Sequence, residues 1–337
     1  MNSTNKKTYV LSVICAVSYG LFTRLAFGLK LTGDVFEIMS SSFIIGIPIV
    51  LGFISIWVVR EKKKLAWYQY IVLPWISGFI FLVCTLALVW EGVICIVLWL
   101  PLVMILGTIG GLIAALALYI IKARSNRMYC VSFVCLLPFI LAPIENLKER
   151  ASDIRTVHSR IIIEAPIETV WKNIERVPAI SEDEHRFALV HFLGFPRPVE
   201  AKLIGEGIGA IRHATFEGNV LFLEHVTEWE KNKKILFTIT ANTENIPPDT
   251  FDEHVTIGGP YFDVLDGGYE IEKLEDGRIL LHLKSQQRLS TNFNFYSHLW
   301  TEWLMKSIQD YILVIIKERC EAQQVGVINS VTLRFTT

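Results

Sequence analysis

Hydrophobic and polar positions divide the chain into two halves that differ in kind. Up to about residue 145, long apolar runs alternate with short charged segments. A helix needs about 20 mostly apolar residues to cross a bilayer. Five stretches meet that length, namely 9–27, 35–59, 70–89, 93–121 and 128–144. Residues 1–145 are therefore predicted to form a membrane α-helical bundle of about five transmembrane helices.

Basic residues between these stretches predict the orientation. Lys6 and Lys7, the segment 60–64 and the segment 122–127 fall on one side of a five-span arrangement, and Lys30 lies on the other. Because basic loops stay in the cytoplasm, the N-terminus is predicted inside and the C-terminal half outside, at the cytoplasmic (inner) membrane. The predicted side of the C-terminal half depends on the fifth span, because a chain with four spans would place that half in the cytoplasm. A cleaved signal peptide at the first span is a less favoured alternative.

The second half alternates apolar and polar positions as strands do. After a charged linker at 146–155, the apolar residues 161–163 suit a strand. Pro166 then suits the first position of a helix whose residues Val170, Trp171 and Ile174 share one face. Further strands are predicted at 200–204, 208–216, 220–229, 235–241, 269–274 and 278–289. A capping pattern at 181–184 predicts a second short helix.

One long helix follows the strands. Thr291 or Asn292 can cap it, and its apolar positions form a wide stripe up to about Glu321. The domain is thus predicted to occupy residues 156–322, with a tail at 323–337.

The residues 165–171, Ala-Pro-Ile-Glu-Thr-Val-Trp, together with the segments 223–230 and 267–274, carry a family resemblance. They resemble the START-like, or SRPBCC, helix-grip superfamily, which includes polyketide cyclase/dehydrase-type and lipid-transfer proteins. The resemblance implies an α+β helix-grip domain, in which a curved antiparallel sheet surrounds a long C-terminal helix. It also implies an apolar cavity between the sheet and that helix.

Charge and cysteine content narrow the range of functions. The formal net charge of −1 provides no basic field for nucleic acid, so no nucleic-acid partner is predicted. Five of the six cysteines lie in apolar runs, and no C-x-x-C spacing occurs. We predict no metal and no cofactor. The carboxylate and histidine clusters at 182–185 and 252–254 are interpreted as solvated loops rather than as metal ligands.

Candidate site residues come from the predicted strands and the last helix. His213 and His225 alternate with apolar neighbours and are the candidates for a catalytic or ligand-binding role. Four aromatic residues of the long helix are candidate ligand-binding residues, with plain core packing as the alternative. They are Tyr296, Trp300, Trp303 and Tyr311.

The fourth predicted span carries small residues at helical spacing, Gly107, Gly111 and Ala115. Such a row suits either a homo-oligomer formed through this span or close packing within the bundle, and the second interpretation is favoured. The expected partners are the lipid bilayer and a hydrophobic small molecule or lipid.

Three functions remain open. The favoured one is a membrane-tethered START-like domain that binds a hydrophobic small molecule or lipid in its cavity. The second is a polyketide cyclase/dehydrase-like enzyme that acts on a hydrophobic substrate with His213 or His225. The third is a non-catalytic envelope sensor or scaffold. The sequence ranks a binding protein above an enzyme. It does not decide between them, because one fold serves many activities.

Overall fold

A computed structural model describes residues 3–29, 36–60, 64–147, 150–242 and 257–335. The chain forms two compact units. One comprises Met1–Ala151 with Thr291–Phe293, and the other comprises Ser152–Ser290 with Asn294–Thr337. Each unit is described by itself.

The regular elements among the described residues of the N-terminal unit are all helices. Its helices are α1 (Ser3–Gly28), α2 (Ser41–Ile44), α3 (Gly46–Arg60), α4 (Gln69–Ala87), α5 (Val93–Ile120) and α6 (Arg124–Glu145). Among the described residues, five helical stretches are long and apolar enough to cross a membrane. They agree with the five predicted spans. The second differs at its start, because Ser40 caps α2 by accepting a hydrogen bond from the amide of Phe43.

Small residues let α3 and α5 approach closely. A Cβ atom on Gly52 of α3 would lie 1.8 Å from the carbonyl oxygen of Gly107 on α5. A Cβ atom on Gly111 would lie 2.8 Å from the side chain of Ile56 and 3.1 Å from that of Pro74. The predicted small-residue row of α5 therefore packs against α3 and α4 within the bundle. Self-association through the fourth span stays a prediction.

The charged residues of this unit are paired where they are buried. The Nε of Arg24 on α1 lies 2.5 Å from a carboxylate oxygen of Glu91, in the connection between α4 and α5. The same guanidinium donates to the carbonyl of Trp90 at 2.7 Å. This ion pair ties the first helix to the turn between the third and fourth spans.

The C-terminal unit is built on one antiparallel sheet of seven strands, in the order β1-β7-β6-β5-β4-β3-β2. The strands are β1 (Asp153–Ile163), β2 (Pro198–Ile204), β3 (Ile211–Phe216), β4 (Val220–Glu230), β5 (Lys234–Asn242), β6 (Phe262–Lys273) and β7 (Ile279–Leu289). Strand β6 begins before the predicted residue 269, and most of the predicted loop at 242–260 lies outside the described residues. The cluster at 252–254 lies there as well.

Three helices complete this unit, α7 (Ile167–Glu175), α8 (Leu189–Phe192) and α9 (Asn294–Phe335). The amphipathic face of α7 is buried as predicted, with Trp171 in the main core beside Leu313 and Ile316 of α9. The same core contains Ile235 of β5 and Leu281 of β7. A curved antiparallel sheet with a long C-terminal helix is the helix-grip architecture that the resemblance implied, and that expectation is confirmed.

Two further differences from the predictions concern the end of α9 and the segment after Ser181. Helix α9 continues to Phe335, beyond the predicted end near Glu321. The capping pattern at Ser181 does not open a helix, because residues 182–184 form a turn and α8 begins only at Leu189. The carboxylate of Glu184 does accept a hydrogen bond from the Ser181 amide at 2.8 Å, but it also pairs with Arg319 of α9. Glu184 thus keeps the Ser181 contact of the capping pattern while it also joins this segment to α9, and no helix follows.

Candidate ligand site

Two adjoining cavities lie between the sheet and α9. The larger has a volume of about 130 Å³, and most of its lining is apolar. The smaller, of about 60 Å³, is lined by residues of β2, β3, β4 and β6, by Val177 and Ile180, and by the next turn of α9. Four residues line both cavities, namely Phe216, Glu224, Tyr269 and Ile312. These shared side chains form the boundary between the two spaces, so the cavities adjoin there.

A buried ion pair lies at this boundary. Arg212 of β3 and Glu224 of β4 occupy directly opposed positions of the antiparallel ladder. Alternation along each strand turns both side chains to the face that meets α9. A guanidinium nitrogen of Arg212 donates to the Glu224 carboxylate. Arg212 is 2% exposed and Glu224 is 8% exposed, so solvent screens this pair very little.

Aromatic rings surround the guanidinium. Its central carbon lies 5.1 Å from the ring centre of Phe237 and 5.7 Å from that of Tyr269. These distances are within the range of cation–π attraction. Burial raises the pKa of Tyr269 to about 12, and it raises the pKa of Glu224 while Arg212 opposes that effect. The boundary between the two cavities therefore contains a desolvated ion pair inside an otherwise apolar interior.

One N–H donor of the Arg212 guanidinium has no acceptor among the described residues. Within the part of the chain that the structure describes, the buried Nε–H of Arg212 makes no hydrogen bond. Buried polar atoms without partners are uncommon in folded proteins, because each carries a desolvation cost. Other atoms of the Arg212 side chain line the smaller cavity, and the Nε itself is enclosed.

A second unpartnered atom belongs to α9. Gln309, which lines the larger cavity and is 3% exposed, donates its amide to the Ser285 hydroxyl at 2.8 Å. It also donates to the carbonyl of Val157 at 3.2 Å. Its Oε1 finds no donor among the described residues. Because its amide nitrogen donates to two residues of the sheet, the orientation of the side chain is fixed, and its oxygen is enclosed.

Two consecutive glycines of β6 shape the larger cavity. A Cβ atom on Gly268 would lie 2.5 Å from the carbonyl oxygen of Ile235 and 2.9 Å from the Cα of Leu236. On Gly267 a Cβ atom would be 3.1 Å from the carbonyl oxygen of Lys284. The ladder between β6 and β7 also shifts register between Val264 and Asp266. Glycine here lets the strands curve closely around the cavity.

Residues 178–197, which we term the covering segment, border the larger cavity through Phe195 and Pro196. Arg319 of α9 holds the start of this segment. Its guanidinium donates to the carbonyls of Pro178 and Ala179 at 2.9 Å each and to Glu184 at 2.8 Å. The hydrogen bonds from Arg319 lower the pKa of Glu184 to about 2.

Histidines of the covering segment contact a tyrosine of α9. A ring nitrogen of His185 lies 2.7 Å from the hydroxyl of Tyr311, and the His191 ring packs on the Tyr311 ring at 4.5 Å between centres. At the far end of the segment, Arg197 pairs with Glu217 and lowers the pKa of that carboxyl group. The covering segment is thus attached to α9 at its start and middle and to the sheet at its end.

The predicted histidines lie elsewhere. His213 and His225 occupy the alternate positions of β3 and β4, on the opposite sheet face from Arg212 and Glu224. His225 is exposed and His213 is partly exposed, and neither lines the two cavities. Their placement does not support the catalytic interpretation.

The predicted aromatic residues of α9 also lie outside the linings of these cavities. Tyr296, Trp300 and Trp303 are partly buried, and the ring of Trp300 contacts the other two rings edge to face. Tyr311 lies under the covering segment. Their assignment as ligand-binding residues stays a prediction. The helix residues that line the cavities are Met305, Ile308, Gln309, Ile312, Ile315 and Ile316.

Arg212 and Glu224 are not among the site residues predicted from the sequence. A signal for them was present. The two residues are equally distant from the turn at 217–219, so a hairpin register places them opposite each other. Opposite charges at inward positions of two paired strands predict a buried pair. Among the described residues no group of three or more histidine, cysteine, aspartate or glutamate side chains is placed to hold a metal ion.

Comparison with known proteins yields only distant likenesses. No family model matches the chain, and no curated protein matches it. A START superfamily protein from Mycobacterium smegmatis is similar to half of this chain, at 11% identity and a TM-score of 0.32, over 98% of its own length.

Two further solved structures are similar over about the same share of this chain. A protein from Nitrosospira multiformis shares 16% identity over 50% of this chain and 99% of its own, with a TM-score of 0.30. A truncated norcoclaurine synthase from Thalictrum flavum shares 13% identity over 49% of this chain and 94% of its own, with a TM-score of 0.30.

Proposed function

We propose that this protein is a membrane-anchored binding protein that holds a hydrophobic small molecule or lipid between its sheet and α9. The observation that carries the proposal is the larger cavity, which is lined mainly by apolar side chains in the middle of the domain. A well-packed interior leaves few voids larger than a water molecule. A cavity of about 130 Å³ bordered by phenylalanine, isoleucine and valine side chains therefore supports binding of a small apolar molecule or of part of a larger one.

The covering segment supports access to this cavity. Phe195 and Pro196 border the cavity from a segment without long regular structure. Side-chain hydrogen bonds attach this segment to α9, and backbone hydrogen bonds from Ile180 to Val199 of β2 and from Glu217 to Arg197 attach its two ends to the sheet side. Such contacts can open without unfolding the sheet. The five long apolar helices support anchoring in a membrane, which would keep the domain near a source of apolar molecules.

Native mass spectrometry of the detergent-solubilised full-length protein tests this proposal. We expect a co-purifying ligand on the unaltered protein. Ile312 borders both cavities, so Ile312→Trp should fill them and remove the ligand. The matched control is Asp310→Trp, which adds the same side chain at an exposed position of α9. Equal ligand occupancy in both variants, with both shown to be folded by circular dichroism, would refute a site in these cavities.

A further inference from the structure

A groove on the surface of the N-terminal unit runs between α1 and α4 and leads toward basic residues at one end of the bundle. We infer that this groove binds a phospholipid with an anionic head group. Its volume of about 670 Å³ is within the range of ligand pockets. The groove is built entirely from the N-terminal unit, so this inference is independent of the proposed function.

The walls of the groove match one acyl chain. Exposed aliphatic side chains form them, among which are Val10 and Ile14 of α1 and Val72 of α4. On α1 the lining extends over residues 9–18. Nine steps of about 1.5 Å give a length of about 14 Å, which is close to half of a hydrocarbon core of about 30 Å. The groove therefore has the length of a chain that occupies one leaflet of the bilayer.

The polar end of the groove lies where both helices approach their N-termini. The side-chain amide of Gln69, the first residue of α4, donates to the hydroxyl of Tyr9 at 2.9 Å. Tyr68 also lines the groove here, and its ring and that of Trp67 are exposed. Exposed tyrosine and tryptophan rings are typical of the membrane–water interface. This end is therefore at the depth of the lipid head groups.

Two lysines continue the α1 side of the groove beyond this polar end. Lys6 precedes the groove residue Val10 by four positions, and Lys7 precedes Ile14 by seven. Because residues at these spacings share one face of a helix, both lysines lie in line with the groove. Both are exposed, so they are accessible to a head group whose acyl chain lies below them.

Arg60 adds a third positive group at the same end. Its guanidinium donates to the hydroxyl of Tyr70, which follows Gln69 in the first turn of α4. The start of α4 contributes the positive end of its dipole as well. In the predicted orientation this end faces the cytoplasmic leaflet, whose surface is anionic, and basic groups beside membrane helices attract such lipids. A head group with a net negative charge therefore fits this end better than a zwitterionic one.

Native mass spectrometry of the full-length protein, released from nanodiscs, tests the preference. The nanodiscs contain equal amounts of phosphatidylglycerol and phosphatidylcholine with identical acyl chains. We expect the protein to retain phosphatidylglycerol about tenfold more than phosphatidylcholine, the order of effect that one or two basic side chains near an anionic head group produce.

One pair of variants tests the charge. Lys6→Gln combined with Lys7→Gln should lower the retention of phosphatidylglycerol to that of phosphatidylcholine. The matched control, Lys122→Gln combined with Arg127→Gln, removes the same charge on the same predicted side of the membrane at residues that do not line the groove. It should keep the preference. An equal loss in the two double variants would show a general surface attraction and overturn the site.

A second pair of variants tests the groove. Ile14→Trp fills it and should reduce the retention of phosphatidylglycerol about tenfold, to the level of a lipid without a specific site. Leu11→Trp adds the same side chain at an exposed position of α1 outside the lining and should have no effect. Equal retention in these two variants would overturn the groove as the site. Equal retention of the two lipids by the unaltered protein would overturn the anionic head group.

Discussion

Arg212 and Glu224 form a directly opposed cross-strand pair that is closed off from solvent at the boundary of two cavities. Burying these two charges costs free energy, and their mutual attraction offsets that cost only while both residues are present. The consequences of this dependence can be measured.

Removing one partner of the pair should destabilise the domain more than removing both. Arg212→Met leaves Glu224 buried without a counter-ion, and we expect a loss of about 3–5 kcal/mol. Adding Glu224→Gln to the same protein should recover part of that loss, because a neutral amide costs less to bury. Native-state hydrogen exchange of β3 and β4 amides measures the difference. Equal destabilisation in the single and double variants would contradict the prediction.

Arg319 should stabilise the covering segment. Arg319→Ala removes hydrogen bonds to two carbonyls and to Glu184, and we expect a local cost of roughly 1–3 kcal/mol. The matched control is Arg186→Ala, which breaks an exposed ion pair with Glu318 of α9 and should cost less than about 1 kcal/mol. Amide exchange in residues 178–197 should accelerate in the first variant only. Similar exchange in both variants would show that Arg319 does not hold the segment.

The stabilising effect of Glu184 should depend on pH. Its pKa is lowered from 4.5 to about 2 in the folded protein. A depressed pKa means that the contribution is complete above the unfolded value near 4.5 and is lost as the pH falls from there toward 2. The difference in unfolding free energy between the unaltered protein and Glu184→Gln should shrink over that interval. A constant difference from pH 6 to about pH 2 would argue against this linkage.

Close packing of α3 against α5 predicts a sensitive glycine in the bundle. Gly52→Ala would place a methyl group 1.8 Å from the Gly107 carbonyl oxygen, so one helix must move. We expect a loss of about 1–3 kcal/mol, as for other overpacked positions. Gly92→Ala meets nothing within 4 Å and serves as the control. Thermal unfolding in detergent, together with the mass of the protein–detergent complex, separates a packing defect from a change in oligomeric state.

The orientation predicted from basic residues can be checked with fusions. A phosphatase that is active only outside the cytoplasm should be active when it is fused after Thr337. The same enzyme fused after Lys122, in a predicted cytoplasmic segment, should be inactive. Activity at Lys122 and none at Thr337 would invert the predicted sidedness and leave the fold unaffected.

The sequence by itself determined the elements whose signals are local. Five apolar runs of sufficient length became five helices, and period-two alternation located the strands. The buried face of α7 followed from Val170, Trp171 and Ile174 at helical spacing. These features depend on residues that are neighbours along the chain, so periodicity alone reveals them.

The tertiary structure decided what distant residues do to one another. The pattern at Ser181 and Glu184 predicted the start of a helix, but residues 182–184 form a turn in which Glu184 also pairs with Arg319, 135 residues further along. His213 and His225 seemed to face the interior, yet the direction in which the sheet curves toward α9 turns Arg212 and Glu224 inward instead. Alternation gives two faces without saying which one is buried, because only packing against another element distinguishes them.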